Sequence, residues 1–250
     1  MNGVKKVAAA GIFAMSAYAS MALAAGAHWT YGGHGGPNEW GAISPEFSTC
    51  KLGKNQSPID IRGAKPADLS AIKFDYKPSP LKVIDNGHTI QVNYAPGSSI
   101  EVDGKRYELL QFHFHKPSEE KVDGKSYAMV AHLVHKNAEG KLAVVAVLFD
   151  KGGGNPVIAS VWKNLPKEKE KEMAVADVTI DATNLLPPTK GYYKFAGSLT
   201  TPPCSEEVTW LVLKTPVKIA DAEINAFGKI YPMNARPTQP LNGRAIQASQ

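Results

Sequence analysis

The stretch "RYELLQFHFH", Arg106–His115, decides the fold. An extended chain sends residues i and i+2 to the same side, so Leu110, Phe112 and Phe114 predict a core face. Leu109, Gln111, His113 and His115 fall on the other side, which presents two imidazoles in a row. Outward from this stretch, short apolar-alternating runs recur at 72–76, 81–85, 88–94, 99–102, 127–135, 142–149 and 207–213. Runs of that length and pattern predict strands. Asp103-Gly104, Asp123-Gly124 and Glu139-Gly140 lie between them and suit tight connections between antiparallel neighbours. Helical patterns are few, and the best candidates are 155–165 and 220–227. The glycines at 152–154 follow an apolar strand and precede a helix that needs that strand's sheet to pack on, which favours a single domain. The proline-rich tail, 231–246, suits neither a central strand nor a long helix and is expected to wrap the surface.

The chain has 250 residues, 43% apolar and 20% charged, enough for one large core. Lys5 and Lys6 precede an apolar run that ends in Ala22-Leu23-Ala24, the pattern of a secretory signal peptide over residues 1–24. Ser16 and Ser20 interrupt the run, which argues against a membrane anchor. No later stretch has the length and apolarity of a membrane span, so no membrane association is expected after cleavage. Removing the signal lowers the formal charge from +5 to +3, too small an excess to predict a nucleic-acid partner. Export places the chain in the periplasm or outside the cell. In that oxidising setting the two cysteines, Cys50 and Cys204, are expected to pair, with two buried thiols as the alternative.

Four of the seven histidines fall in two adjacent predicted strands. Three neutral imidazoles with an open fourth position suit a catalytic zinc. His113 and His115 supply two from one strand face. The neighbouring strand offers His132 or His135, which differ by three residues and point to opposite faces, so one of them can complete the set.

The wider sequence resembles the α-class carbonic anhydrases of the exported bacterial type. The resemblance rests on "HWTYG" at 28–32, "NQSPIDI" at 55–61, "NGH" at 86–88, "QFHFHKPSE" at 111–119, "AHLVH" at 131–135, "GSLTTPPCSE" at 197–206, "VTW" at 208–210 and "RPTQPL" at 236–241. It implies a mixed, β-dominated single domain: a large twisted, mostly antiparallel central sheet with a few short peripheral helices. It also implies reversible hydration of carbon dioxide to bicarbonate, with Zn2+ as cofactor, by a monomer or homodimer. A second reading is an inactive binding protein of the same fold. Inactive relatives characteristically lose a ligand histidine, and all three are present here.

By the same resemblance the zinc ligands are His113, His115 and His132. Thr200 and Glu119 orient the zinc-activated water, and His88 is the proton shuttle. Val134, Val144, Leu199, Thr201, Val208 and Trp210 form the carbon dioxide pocket. Tyr31, Asn86 and Gln91 are polar cavity residues, and Gln111 bonds the outer nitrogen of His113. The family's glutamate behind the third histidine is replaced by Val130. Loss of such an outer partner costs about 10–100-fold in metal affinity or activity, so faster zinc exchange is expected. Glu120 and Lys116 stand where the motif commonly has histidine and tryptophan, and no role is assigned to either.

Overall fold

The computed structural model describes residues 27–250. The expected signal peptide lies outside the described residues. Thirteen strands form one large sheet. From one edge to the other its main path runs Met173–Ile180, Ser79–Asp85, Ile90–Asn93, Lys105–His115, Met129–Lys136, Leu142–Lys151, Glu206–Leu213, Tyr192–Ser198, Gln247–Ser249 and Lys65–Ala67. Most neighbours are antiparallel. The exceptions are Leu142–Lys151 beside Glu206–Leu213, the same strand beside Val217–Ile219, and Gln247–Ser249 beside Lys65–Ala67.

The centre of the sheet is buried on both faces, which explains the unbroken apolar run at 142–149. Ala143, Val145, Val147 and Phe149 pack into one core, while Val144, Ala146 and Leu148 pack into a second core across the sheet. Each fully buried aliphatic or aromatic side chain contributes about 1.5–3 kcal/mol relative to exposure. The two longer helices, Pro156–Lys163 and Asp221–Ile230, cover the first core through Val157, Ile158, Val161, Ile224 and Phe227. Asn155 starts the first helix, its side chain accepting hydrogen bonds from the Val157 and Ile158 amides. Glu223 of the second helix accepts from the amides of Ala220 and Asn155, tying the two helix starts together.

Tight turns form at all three predicted dipeptides. Asp103 and Gly104 both take positive φ (50° and 71°), as do Asp123 and Gly124 (49° and 82°), and each pair closes a hairpin. At Glu139-Gly140 the Gly140 amide donates to the Asn137 carbonyl at 3.0 Å between the antiparallel strands Met129–Lys136 and Leu142–Lys151. Cys50 and Cys204 are joined in a disulfide that links residues 154 apart. With Trp40 they form a third apolar cluster, against which Trp29 and Tyr31 pack.

Two expectations are corrected. Leu109 does not share the histidine face: it is buried in the first core with Phe112 and Phe114. The register explains this, because Val134 pairs with Gln111 but His135 pairs with Leu109, so Leu110 is the extra residue of a β-bulge. A bulge inserts one residue and reverses the parity on either side of it. The tail, moreover, does not merely wrap the surface. Asn234 is 0% exposed and Arg236 2%, and both reach the functional site.

Candidate metal centre and cleft

Three strands build the floor of a cleft of roughly 250 Å³. His113 sits in register between Gln91 on one neighbouring strand and His132 on the other. His115 lies two residues further along the same face, opposite Val130. One nitrogen from each of His113, His115 and His132 falls within 4.8 Å of the others. His135 lies on the opposite face, 0% exposed, where its Nε2 meets the Tyr76 hydroxyl at 2.8 Å.

Each of the three rings is held by its other nitrogen. Gln111 Oε1 stands 2.8 Å from His113 Nδ1, and the Asn234 carbonyl 2.7 Å from His115 Nδ1. His132 is turned the other way round: its Nε2 lies 3.0 and 3.2 Å from the two oxygens of Glu120. The expectation that Val130 leaves His132 without an outer partner is therefore corrected, and with it the inference of faster zinc exchange. The carboxylate comes from the loop after the His113/His115 strand, not from the strand of His132.

Beneath the trio, buried Glu119 accepts a hydrogen bond from the Arg236 amide at 2.7 Å through Oε1. Its Oε2 points at the cluster, 3.5 Å from His115 Nε2 and 3.8 Å from His132 Nδ1. Burial pushes the Glu119 carboxyl up to about 7, with His132, Thr200 and the Arg236 amide acting against that rise and Glu120 adding to it. Thr200 acts on Glu119 at short range, although Oε2 has no partner in good hydrogen-bond geometry. Burial, and then the neighbouring His132, hold His113 down at about 3, and the same causes with His113 push His115 well below the usual imidazole range. Both are neutral near pH 7, the state a metal ligand requires. Burial also disfavours a charge on His132, but the charge and hydrogen bond of Glu120, and then Glu119, raise its pKa overall.

The walls divide by chemistry. Val134, Val144, Leu199 and Trp210 line one side, with Thr200 and Thr201 beside them. Val208 is buried in the same cluster as Val134, Val144 and Trp210 but is not among the residues lining the cleft. Tyr31, Asn86, His88, Gln91 and Gln111 line the polar side. Asn86 Oδ1 accepts from the amides of His88 and Thr89, which fixes the turn, and the His88 ring stacks on Trp29 with centroids 3.7 Å apart.

Asn234, Arg236 and Glu120 also contact the site, and no role for them is expected from the sequence. The Asn234 side chain donates to the carbonyls of His88 and Phe114 and accepts from the Lys116 amide, so one residue joins the His88 turn to the ligand strand. The Arg236 guanidinium donates to Gln56 Oε1 and to the carbonyls of Ser57 and Cys50. Their signal was position alone: Arg236 opens "RPTQPL" and Asn234 lies two residues before it.

Among the described residues, buried His115 Nε2 has no hydrogen-bond partner. An orphan acceptor that converges with two further imidazole nitrogens fits a bound cation. Fold and site together define the class: a single-domain β-protein with three histidines, placed as metal ligands would be, at the floor of a cleft. The eukaryotic-type carbonic anhydrase profile matches residues 35–250, and the chain belongs to that family. It is 44% identical over 221 residues to a carbonic anhydrase of Pectobacterium carotovorum, covering 88% of this chain and 90% of that one. A hyperthermostable carbonic anhydrase identified from a hydrothermal vent chimney superposes with a TM-score of 0.87 at 47% identity, covering 89% of this chain and all of that one. The α-carbonic anhydrase of Thermovibrio ammonificans, solved with the inhibitor sulfanilamide, gives a TM-score of 0.85 at 45% identity, covering 89% of this chain and 99% of that one. Membership makes the chain a carbonate dehydratase, a lyase of a family that is zinc-dependent in general. No helix among the described residues is long and apolar enough to cross a membrane.

Proposed function

We propose that this chain hydrates carbon dioxide reversibly to bicarbonate and a proton, with zinc held by His113, His115 and His132, in the periplasm or outside the cell after loss of residues 1–24. The observation that carries the reading is the convergence of three imidazole nitrogens whose opposite ring nitrogens are all engaged. A zinc ion there supplies a nucleophile at neutral pH by lowering the pKa of a water to about 7.

The chain's own residues do the rest. Thr200 accepts a hydrogen bond from the attacking water and donates its own proton to Glu119 Oε2, leaving a water lone pair aimed into the cleft. Arg236, through its amide on Oε1, keeps Glu119 in the acceptor role. Carbon dioxide has no net dipole, so the apolar wall of Val134, Val144, Leu199 and Trp210 binds it without a competing hydrogen bond, with Thr201 at its rim and Val208 supporting it from behind. His88 takes the proton to solvent, and Tyr31, Asn86 and Gln91 order the water between. The substrate is a small molecule, and neither nucleic acid nor membrane is a partner.

The test is bound zinc and stopped-flow carbon dioxide hydration in the wild type and in His113→Ala and His132→Ala. Zinc-dependent hydration in the wild type, with both lost in the variants, is expected. A zinc-loaded, folded wild type without hydration would overturn the proposal.

A further inference from the structure

Glu120 is 0% exposed, and its only side-chain partner among the described residues is His132 Nε2, at 3.0 and 3.2 Å. A carboxylate with that burial costs several kcal/mol unless hydrogen-bonded and charge-compensated, so its placement needs a reason. The loop that carries it is fixed independently. The Ser118 hydroxyl donates to the Glu120 carbonyl and accepts from the Tyr127 amide, and the Lys121 amide donates to Ile59. Glu120 is thus delivered to His132 by a rigid loop and not drawn to it by chance. Position 130 lies on the same strand face as His132, two residues before it, and holds a fully buried valine packed in the second core. That strand offers His132 no acceptor of its own.

We infer that Glu120 is the positioning residue of the third metal ligand: it accepts the Nε2 proton of His132, fixes the ring and leaves Nδ1 as the coordinating nitrogen. His113 and His115 are capped at Nδ1 and present Nε2, so His132 is the one ligand of opposite tautomer. We assign its proton to Nε2 because a carboxylate can only accept. Without that acceptor both tautomers and both ring orientations become available, and the site loses its preorganisation. The inference rests on the zinc reading above.

The experiment follows zinc transfer from the purified full-length mature protein to a chelator for wild type, Glu120→Leu, Glu120→Ala and Glu120→Gln, with folding checked by circular dichroism. Histidine-labelled NMR of each zinc-loaded protein reports the ring protons. Leucine fills the volume without an acceptor, so it remains informative where alanine leaves a cavity that unfolds the site. Zinc release about 10–100-fold faster in the leucine or alanine variant is expected, together with loss of the His132 Nε2–H resonance. Glutamine, whose carbonyl still accepts, is expected to keep that resonance and most of the retention. Wild-type retention in a folded variant lacking the acceptor would overturn the inference, as would a glutamine variant as leaky as leucine, which would assign Glu120 to charge compensation. A wild type that binds no zinc would instead overturn the zinc reading itself.

Discussion

Opening the Cys50–Cys204 bond, by reduction or by replacing both cysteines with alanine, tests how the cleft loop is held. The bond joins residues 154 apart. For a loop of that length the chain-entropy model gives about 5 kcal/mol, because the unfolded chain regains the freedom that the cross-link removes. That is comparable to the whole net stability of a typical domain. The folded state loses less. The Cys204 carbonyl still accepts from Gln56 at 3.0 Å, the Cys50 carbonyl from Arg236 at 3.0 Å, and the turn at Thr201 is closed by the Cys204 amide at 2.8 Å. Urea denaturation in oxidising and reducing buffer should therefore show a large fall in midpoint on reduction, with a steeper slope because the freed unfolded chain exposes more surface. Hydration per folded molecule should fall only a few-fold, since the loop that carries Thr200 keeps these hydrogen bonds. Coincident denaturation curves would refute the loop-entropy reasoning. A large stability loss accompanied by abolished hydration in still-folded protein would refute the claim that Gln56 and Arg236 suffice to hold the loop.

His88→Ala should lower kcat by up to about 10²-fold in weak buffer, leave kcat/KM nearly unchanged, and recover when imidazole is added. Burial, and then the charge of His28, hold His88 below the ordinary imidazole pKa. Because the ring must be neutral to accept a proton, the rise of kcat with pH in wild type should fall below the ordinary value of about 6.5; insensitivity of kcat to the substitution would contradict the shuttle role. Burial keeps His135 neutral down to about 3. The unfolded chain takes up that proton near pH 6.5, so native stability should decline as pH falls from about 6.5 towards 3, by on the order of 4 kcal/mol from this residue at the bottom of the window. His135→Gln keeps an acceptor for Tyr76 and a donor to the Ala143 carbonyl, and should show a shallower acid limb in urea titrations. Equal acid limbs would rule out His135 as the source.

Much of this molecule was legible in its sequence wherever backbone period governs side-chain direction. His113, His115, Phe112 and Phe114 separate onto two faces by parity alone, and the apolar run at 142–149 needs two cores to absorb it. Parity failed at Leu109, because nothing in "YELLQF" marks Leu110 as the extra residue of a bulge. The edge strand Met173–Ile180 escaped detection because Ile180 is its one buried residue, its register breaks between Ala174 and Thr179, and Asp177 takes positive φ. Tyr192–Ser198 lacks a clean alternation of buried and exposed positions. The residues that orient the site from irregular backbone were the hardest. Glu120, Asn234 and Arg236 have no period to be read from, and their effects come through contacts that span 12, 119 and 117 residues respectively.

The most direct test of the account is a zinc titration of metal-stripped protein followed by stopped-flow carbon dioxide hydration. Activity should rise in proportion to added zinc and saturate at one ion per chain, the stoichiometry that a single three-histidine cluster dictates. Hydration that persists in the stripped protein, or protein that takes up one zinc and still does not hydrate carbon dioxide, would contradict it.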